Sequence, residues 1–126
     1  ANNTDPDAFV SVHFDSSDNE KVNRYDAYYY EKDGKSFDQS KSLAGSIADA
    51  VNIPELGKSR ARGKSKSMGV PRISEGGGKR PSVLLENGFI TNKDTAGFVN
   101  SGKIAEGIVQ GIDNYFYNKL CTPNHE

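Results

Sequence analysis

Apolar residues occur either in short continuous runs or at helical spacing, and this difference predicts which segments are strands and which are helices. Two runs, residues 9–14 (FVSVHF) and residues 83–86 (VLLE), are continuous and bounded by polar or turn-forming residues. Such runs are typical of strands buried on both faces, as in a parallel sheet covered by helices. Residues 25–30 (YDAYYY) are also strand-like, because aromatic side chains favour a pleated surface. The three runs predict a central sheet.

Helical spacing dominates two other segments. Ser36 and Gln39 have the spacing of a capping box, followed by apolar residues at three- and four-residue steps up to about Val51, and Pro54 then ends the helix. Ser101 opens the last helix, whose apolar stripe comprises Ile104, Ala105, Ile108, Val109, Ile112, Tyr115 and Phe116. Between them, Asn92 is suited to cap a short helix at residues 93–99.

Two glycines lie within the last predicted helix. Gly107 and Gly111 each lower helix stability by about 1 kcal/mol relative to alanine, or permit close packing against a sheet. Either way, they are the weak positions of an otherwise regular pattern.

The connections are polar and rich in turn formers. Asp33-Gly34 and Asn87-Gly88 are turn dipeptides. Residues 56–67 are basic, residues 68–73 are predicted as a short strand or edge segment, residues 74–80 as a flexible loop and residues 119–126 as a polar tail. No internal repeat or dividing linker is present. The alternation of strands and helices predicts one α/β domain over residues 1–126, with a parallel or mixed sheet covered by helices.

Composition excludes several classes of function. The formal net charge of −1 gives no signal for nucleic acid or membrane surfaces, and the sequence contains no transmembrane run and no signal peptide. The single cysteine, Cys121, excludes an internal disulfide and a cysteine-based zinc knuckle. The basic residues 58–66 predict a solvated loop rather than a nucleic-acid site, because no aromatic residues are interleaved for base stacking. Binding of nucleic acid through this stretch is the weakest of the functional alternatives.

Two residues are candidates for chemistry because each lies close to the end of a predicted strand. His13 and Glu86 are ligand-type side chains at such exits, where sites of α/β sheets commonly form. A carboxylate there is costly unless its charge is used. The alternative interpretation is a hydrogen-bonded histidine and a carboxylate paired with Arg72 or Arg80.

Five stretches, in this order, carry a resemblance to a known family: SVHFDSS, YDAYYY, SKSLAGSIADAV, RPSVLLENGFITNKDTAGFV and KIAEGIVQGIDNYF. They resemble the later part of the zinc-dependent N-acetylmuramoyl-L-alanine amidases of the amidase-3 type, the cell-wall amidases of bacteria and phage endolysins. The resemblance implies an α/β fold that lacks the family's first strand and helix, hydrolysis of the amide between N-acetylmuramic acid and L-alanine, peptidoglycan as the partner, and a secreted or wall-associated location.

The resemblance also implies roles for single residues. His13 corresponds to the last of three zinc ligands, and Glu86 to the general base. Residues 1–12 contain neither His nor Glu, and the second histidine, His125, lies in the tail. We therefore expect an N-terminally incomplete domain that does not hold Zn²⁺ tightly by itself. Asp15 stands where the family usually has Asn, a change that bears on substrate contacts. A non-catalytic, metal-free peptidoglycan-binding or complementing fragment is the alternative function.

Overall fold

The structure, a computed structural model, describes residues 6–64 and 80–121. Its elements confirm the predicted α/β class. In chain order they are β1 (Phe9–Asp15), β2 (Tyr25–Lys32), β3 (Lys35–Ser36), α1 (Asp38–Ala50), a 3₁₀ turn (Pro54–Leu56), β4 (Arg60–Lys64), β5 (Ser82–Phe89), α2 (Lys93–Phe98) and α3 (Lys103–Cys121). The strand or edge segment predicted at residues 68–73, most of the loop at residues 74–80 and the end of the tail lie outside the described residues.

The sheet is mixed, and β5 lies inside it. β5 pairs with β1 in parallel and with β2 antiparallel, while β2 also pairs with β4 in parallel. β3 forms a hairpin with the end of β2, and both turn residues, Asp33 (φ 53°) and Gly34 (φ 73°), adopt the left-handed conformation that a tight two-residue hairpin needs. The turn predicted at Asp33-Gly34 is therefore confirmed.

Helices α1 and α3 cover one face of this sheet. Val83 and Leu85 of β5 point into the core that these helices close, together with Tyr25 and Ala27 of β2. Since side chains alternate along a strand, Leu84 and Glu86 lie on the opposite face. No helix of the described residues covers that second face, which we call the open face for that reason, although Tyr28 (2% exposed) and Leu84 (8% exposed) form a small buried cluster on it. No helix in the described part of the chain is long and apolar enough to cross a membrane.

The two glycines of α3 serve helix–helix contact rather than contact with the sheet. A Cβ at Gly111 would lie 2.5 Å from Cα of Ile47, and one at Gly107 would lie 2.9 Å from Cα of Val51. Both distances are shorter than any tolerable contact, so α3 approaches α1 closely only because these positions lack side chains. The Ser46 hydroxyl donates a hydrogen bond to the carbonyl of Gly111 across the same contact (2.6 Å).

The prediction that residues 9–14 are buried on both faces is wrong. β1 is a strand, but Val12 is 56% and Phe14 39% exposed, and His13 is exposed. The reason is position in the sheet: β1 is an edge strand with β5 as its partner in the described structure. The second strand, residues 83–86, is confirmed as part of β5.

The predicted turn at Asn87-Gly88 is instead a distortion within β5. Gly88 has φ 89°, and the register with β1 shifts between the pairs His13–Glu86 and Asp15–Phe89. This shift is a β-bulge, which redirects the side chains beyond it. The buried Asn87 amide holds the bulge in place by donating to the His13 carbonyl (2.9 Å). The turn-forming residues thus bend a strand rather than end it.

Two further predictions require correction. Ser36 does not cap α1, because it pairs with Glu31 in the β2–β3 hairpin, and Phe37 precedes the helix without a side-chain cap. Part of the basic stretch, predicted as a loop, is strand β4. By contrast, Asn92 caps α2 as predicted, with its side-chain oxygen accepting from the Asp94 amide (2.9 Å), and α3 begins two residues after Ser101.

Candidate active site

A row of four side chains crosses the open face from one strand to the next. The sheet register places His13 beside Glu86, Glu86 beside Asp26, and Asp26 beside Arg60. Neighbouring strands are about 4.8 Å apart, so each residue of the row is adjacent to the next. The structure therefore brings together the two residues that the sequence singles out, His13 and Glu86.

Glu86 is half-buried, and its surroundings favour the protonated form. Burial is the main cause that raises the pKa of its carboxyl above the ordinary value, and the negative charges of Asp15 and Asp26 raise it further, against a smaller opposing effect of His13. One carboxyl oxygen, Oε2, is buried without a hydrogen-bond partner among the described residues. A carboxyl group with a raised pKa and an unengaged oxygen is suited to take up and return a proton.

His13 presents its ring on the exposed end of the row. Its Nε2 lies 2.7 Å from the Ser11 hydroxyl, two residues earlier on the same face of β1, and the two atoms are hydrogen-bonded. The backbone carbonyl of His13 is held by Asn87, as described above. The backbone of His13 is therefore held in place while its imidazole ring is exposed to solvent, as a metal ligand or proton carrier requires.

Asp26 is the residue of the row that sequence reasoning missed. It is 1% exposed, and its Oδ2 accepts from Arg24 Nε (2.7 Å) and from the Tyr28 hydroxyl (3.1 Å). Its Oδ1 lies 3.9 Å from Nη1 of Arg62 on β4. The hydrogen bond to Asp26 raises the pKa of Arg24, while burial and then Asp26 raise that of Tyr28. The YDAYYY run offered one signal: a carboxylate among aromatic residues.

The fit of a zinc ion can be tested against these residues. Protein zinc sites use three or four ligands drawn from Cys, His, Asp and Glu. Residues 6–64 and 80–121 contain no group of three or more such side chains that could hold a metal ion. His13 supplies one imidazole, and the neighbouring carboxylates do not complete a ligand set with it. The described residues therefore do not form a zinc site on their own.

One of the alternative partners considered for Glu86 is too distant. Arg80 lies two residues before the start of β5, about 20 Å along the chain from Glu86, so it cannot pair with that carboxylate. Arg72 and His125 lie outside the described residues. Asp15 lies near Glu86 on the neighbouring strand, close enough to raise its pKa.

The chain is similar in sequence to a family of known proteins. The amidase-3 family model, described as N-acetylmuramoyl-L-alanine amidase, matches residues 1–114. The probable cell wall amidase LytH of Staphylococcus epidermidis is 28% identical over 114 residues, which are 87% of this chain and 35% of that protein.

Solved structures show the same fold. The N-acetylmuramoyl-L-alanine amidase AmiC2 of Nostoc punctiforme is 30% identical, with a TM-score of 0.66 over 86% of this chain and 57% of AmiC2. The CwlD amidase of Clostridioides difficile reaches a TM-score of 0.73 at 22% identity, over 91% of this chain and 57% of CwlD. The chain thus spans between a third and three-fifths of the length of these relatives.

Proposed function

Because the chain belongs to the N-acetylmuramoyl-L-alanine amidase family, we propose that it acts in peptidoglycan hydrolysis. The bond cleaved is the amide between the lactyl group of N-acetylmuramic acid and the L-alanine of the stem peptide. The observation that carries this proposal is the adjacency of Glu86 and His13 on an open sheet face, with the pKa of Glu86 raised. Action on the cell wall implies a secreted or wall-associated location.

Glu86 is proposed as the general base. It takes a proton from the water that attacks the amide carbon, so that a C–O bond forms while the carboxyl holds the proton. When the C–N bond breaks, the same carboxyl gives that proton to the leaving amine of L-alanine. A raised pKa suits both halves of this cycle, because the proton is neither released to solvent too early nor held too tightly. His13 is proposed as a zinc ligand, with the further ligands supplied from outside the described residues.

A second candidate function is a peptidoglycan-binding module that does not hydrolyse. It is favoured by one observation: the described residues assemble no group of three metal ligands. Such a module would keep the open face as a binding surface for muramyl peptides, or would complement a chain that supplies the missing donors.

Release of L-alanine amino groups from purified peptidoglycan, by a protein that carries this chain together with a complete zinc ligand set and with zinc supplied, tests the proposal. General acid–base catalysis typically contributes about 100- to 10,000-fold, so we expect Glu86→Gln to lower the rate at least about 100-fold. Glu20→Gln, which neutralises an exposed carboxylate of the loop after β1, serves as the matched control and should leave the rate unchanged. A Glu86→Gln protein that cleaves at the unmodified rate contradicts the assignment. Binding of peptidoglycan without any cleavage supports the second candidate.

A further inference from the structure

The cationic side chains on the open face are organised around one buried carboxylate. Each oxygen of Asp26 is near a different arginine: Oδ2 accepts a hydrogen bond from Arg24 Nε at 2.7 Å, whereas Oδ1 forms only an ion pair with Arg62 Nη1 at 3.9 Å and has no hydrogen-bond partner among the described residues. Arg24 immediately precedes β2, and Arg62 belongs to β4. A buried acid that positions two arginines from different parts of the chain is costly to maintain for stability alone, because desolvation offsets most of the attraction.

Both arginine side chains are partly in contact with solvent. Their side chains are 43% (Arg24) and 40% (Arg62) exposed, whereas Asp26 is 1% exposed. Each guanidinium has five N–H donors, more than the carboxylate can accept. Arg24 is further fixed by stacking over the Phe89 ring, 5.0 Å from its centroid, which lies just past the β-bulge. The two arginines are therefore oriented but not saturated.

The cluster carries a surplus of positive charge. Lys64 lies over the Tyr28 ring, 5.6 Å from its centroid, next to Arg62 on the same strand. Four cationic side chains of this face, Arg24, Arg60, Arg62 and Lys64, stand against the two carboxyl groups of Asp26 and Glu86, so at least two positive charges are in excess. A partly exposed, doubly positive patch that offers guanidinium forks matches a carboxylate ligand.

The distance from Glu86 identifies which carboxylate fits. Glu86, Asp26 and Arg62 belong to three neighbouring strands, β5, β2 and β4, and Arg62 lies two residues along β4 from the residue opposite Asp26, so about 12 Å separates the Glu86 and Arg62 positions. An extended peptide covers this distance in three to four residues. We propose that Arg24 and Arg62, held by Asp26, bind a carboxylate of the stem peptide two or three residues beyond the bond that the amidase cleaves. The identity of this ligand rests on the proposed function.

The test uses binding, which does not depend on turnover. The probe is N-acetyl-L-alanyl-γ-D-glutamyl-L-lysine, compared with its analogue in which both free carboxylates are carboxamides, and titrated into the full chain by NMR. A charge-assisted hydrogen bond lost on amidation weakens binding about tenfold. We expect the free acid to bind about tenfold more tightly than the amide, and this preference to diminish with added salt.

Substitutions test whether Arg62 causes the preference for the free acid. Arg62→Gln should abolish it, and Arg62→Lys should restore part of it through charge without the planar fork. Lys41→Gln, which removes a positive charge from the exposed side of α1 behind the sheet, should leave it intact. Arg62 is chosen because Asp26 keeps its shorter contact with Arg24, so the fold is retained; amide spectra of each variant verify this.

Two results would overturn the inference. One is equal binding of acid and amide, including no binding of either; the other is a preference that survives in Arg62→Gln. Hydrolysis of peptidoglycan without a carboxylate preference overturns this site while the proposed function stands. A preference that depends on Arg62 in a protein that does not hydrolyse supports the site together with the binding-module candidate.

Discussion

At the scale of single residues, the open face places carboxyl groups where their charge is costly. Glu86 stands beside Asp26 on one neighbouring strand and near Asp15 on the other, and its Oε2 has no hydrogen-bond partner among the described residues. Asp26 is neutralised by two arginines, but Glu86 is not neutralised in the same way. A group kept at the expense of stability is typical of a functional site.

This cost predicts how stability depends on pH. The pKa of Glu86 in the folded chain is raised above its usual value of 4.5. Between these two values the folded carboxyl keeps a proton that the unfolded chain has released, so stability falls as pH rises through the interval and levels off above it. Glu86→Gln lacks this fall. We expect the variant to be more stable than the unmodified chain at pH 7, with the difference vanishing below pH 4.5.

Urea denaturation of both proteins in the presence of EDTA, at several pH values, measures this difference without interference from metal. Glu20→Gln is again the matched control, because its side chain is exposed and the substitution should produce no comparable gain at pH 7. If Glu86→Gln is less stable than the unmodified chain at neutral pH, the ionised carboxylate stabilises the fold, which contradicts a raised pKa for Glu86.

At the scale of elements, the parts of the fold that could be predicted are those whose pattern is local. β2, β5, α1 and α3 follow from apolar runs and helical stripes, and the Asn92 cap from its position before α2. β4 could not be predicted in this way, because Arg60, Arg62 and Lys64 direct their charges to the open face and leave no apolar alternation to detect.

Features that depend on how the strands pair in the folded sheet also could not be predicted from the sequence. Whether β1 is central or at an edge depends on which strands flank it, and its apolar run is the same in either case. The cluster at Asp26 depends on pairing β2 with β5 and β4 in one particular register. His13 and Glu86 could be predicted because each stands near the end of its own strand, whereas Asp26 stands near the start of β2, where no rule directs attention.

The contact between α1 and α3 yields a prediction at this scale. In Gly111→Ala the gain in helix propensity is about 1 kcal/mol, but the new methyl group meets the backbone of Ile47 at 2.5 Å. Because backbone cannot move aside as a side chain can, overpacking costs about 1–3 kcal/mol and outweighs the gain. We expect a net loss of stability, seen as a lower urea midpoint.

Gly45→Ala is the matched control within α1. A Cβ at Gly45 meets nothing within 4 Å, so this substitution should raise the urea midpoint by the propensity gain alone, up to about 1 kcal/mol. A Gly111→Ala protein as stable as Gly45→Ala would show that the two helices are not in close contact.

At the scale of the whole molecule, the helix-covered side of the sheet is itself incomplete at its β1 edge. Most of that side closes a core, but Val12 and Phe14 of β1 remain partly exposed beside Val109 of α3. These side chains line a groove of about 380 Å³ together with Ile104 and Ile108. His13 lies between Val12 and Phe14 in β1 and points to the open face, so the groove and the candidate site lie on opposite faces of the same edge strand.

The small number of potential metal ligands near His13 leads to a prediction about zinc binding. Zinc is held tightly when three or four protein donors surround it. His13 offers one imidazole, and its Nε2 is already engaged with Ser11; Asp15 and Glu86 are near one another but do not form a three-ligand group with it. We therefore expect the 126-residue chain, loaded with zinc and dialysed against a weak chelator, to retain far less than one equivalent by elemental analysis.

The variant His13→Ala tests whether His13 is a zinc ligand. In a protein that holds zinc through a ligand set including His13, this substitution removes metal and hydrolysis together, because a direct donor is lost. In the chain alone the same substitution should change zinc content little, since a single imidazole leaves the ion largely bound by water and exchangeable. Retention of one equivalent by the unmodified chain, lost in His13→Ala, would contradict this expectation and show that the chain completes the zinc site with donors such as Asp15 or His125.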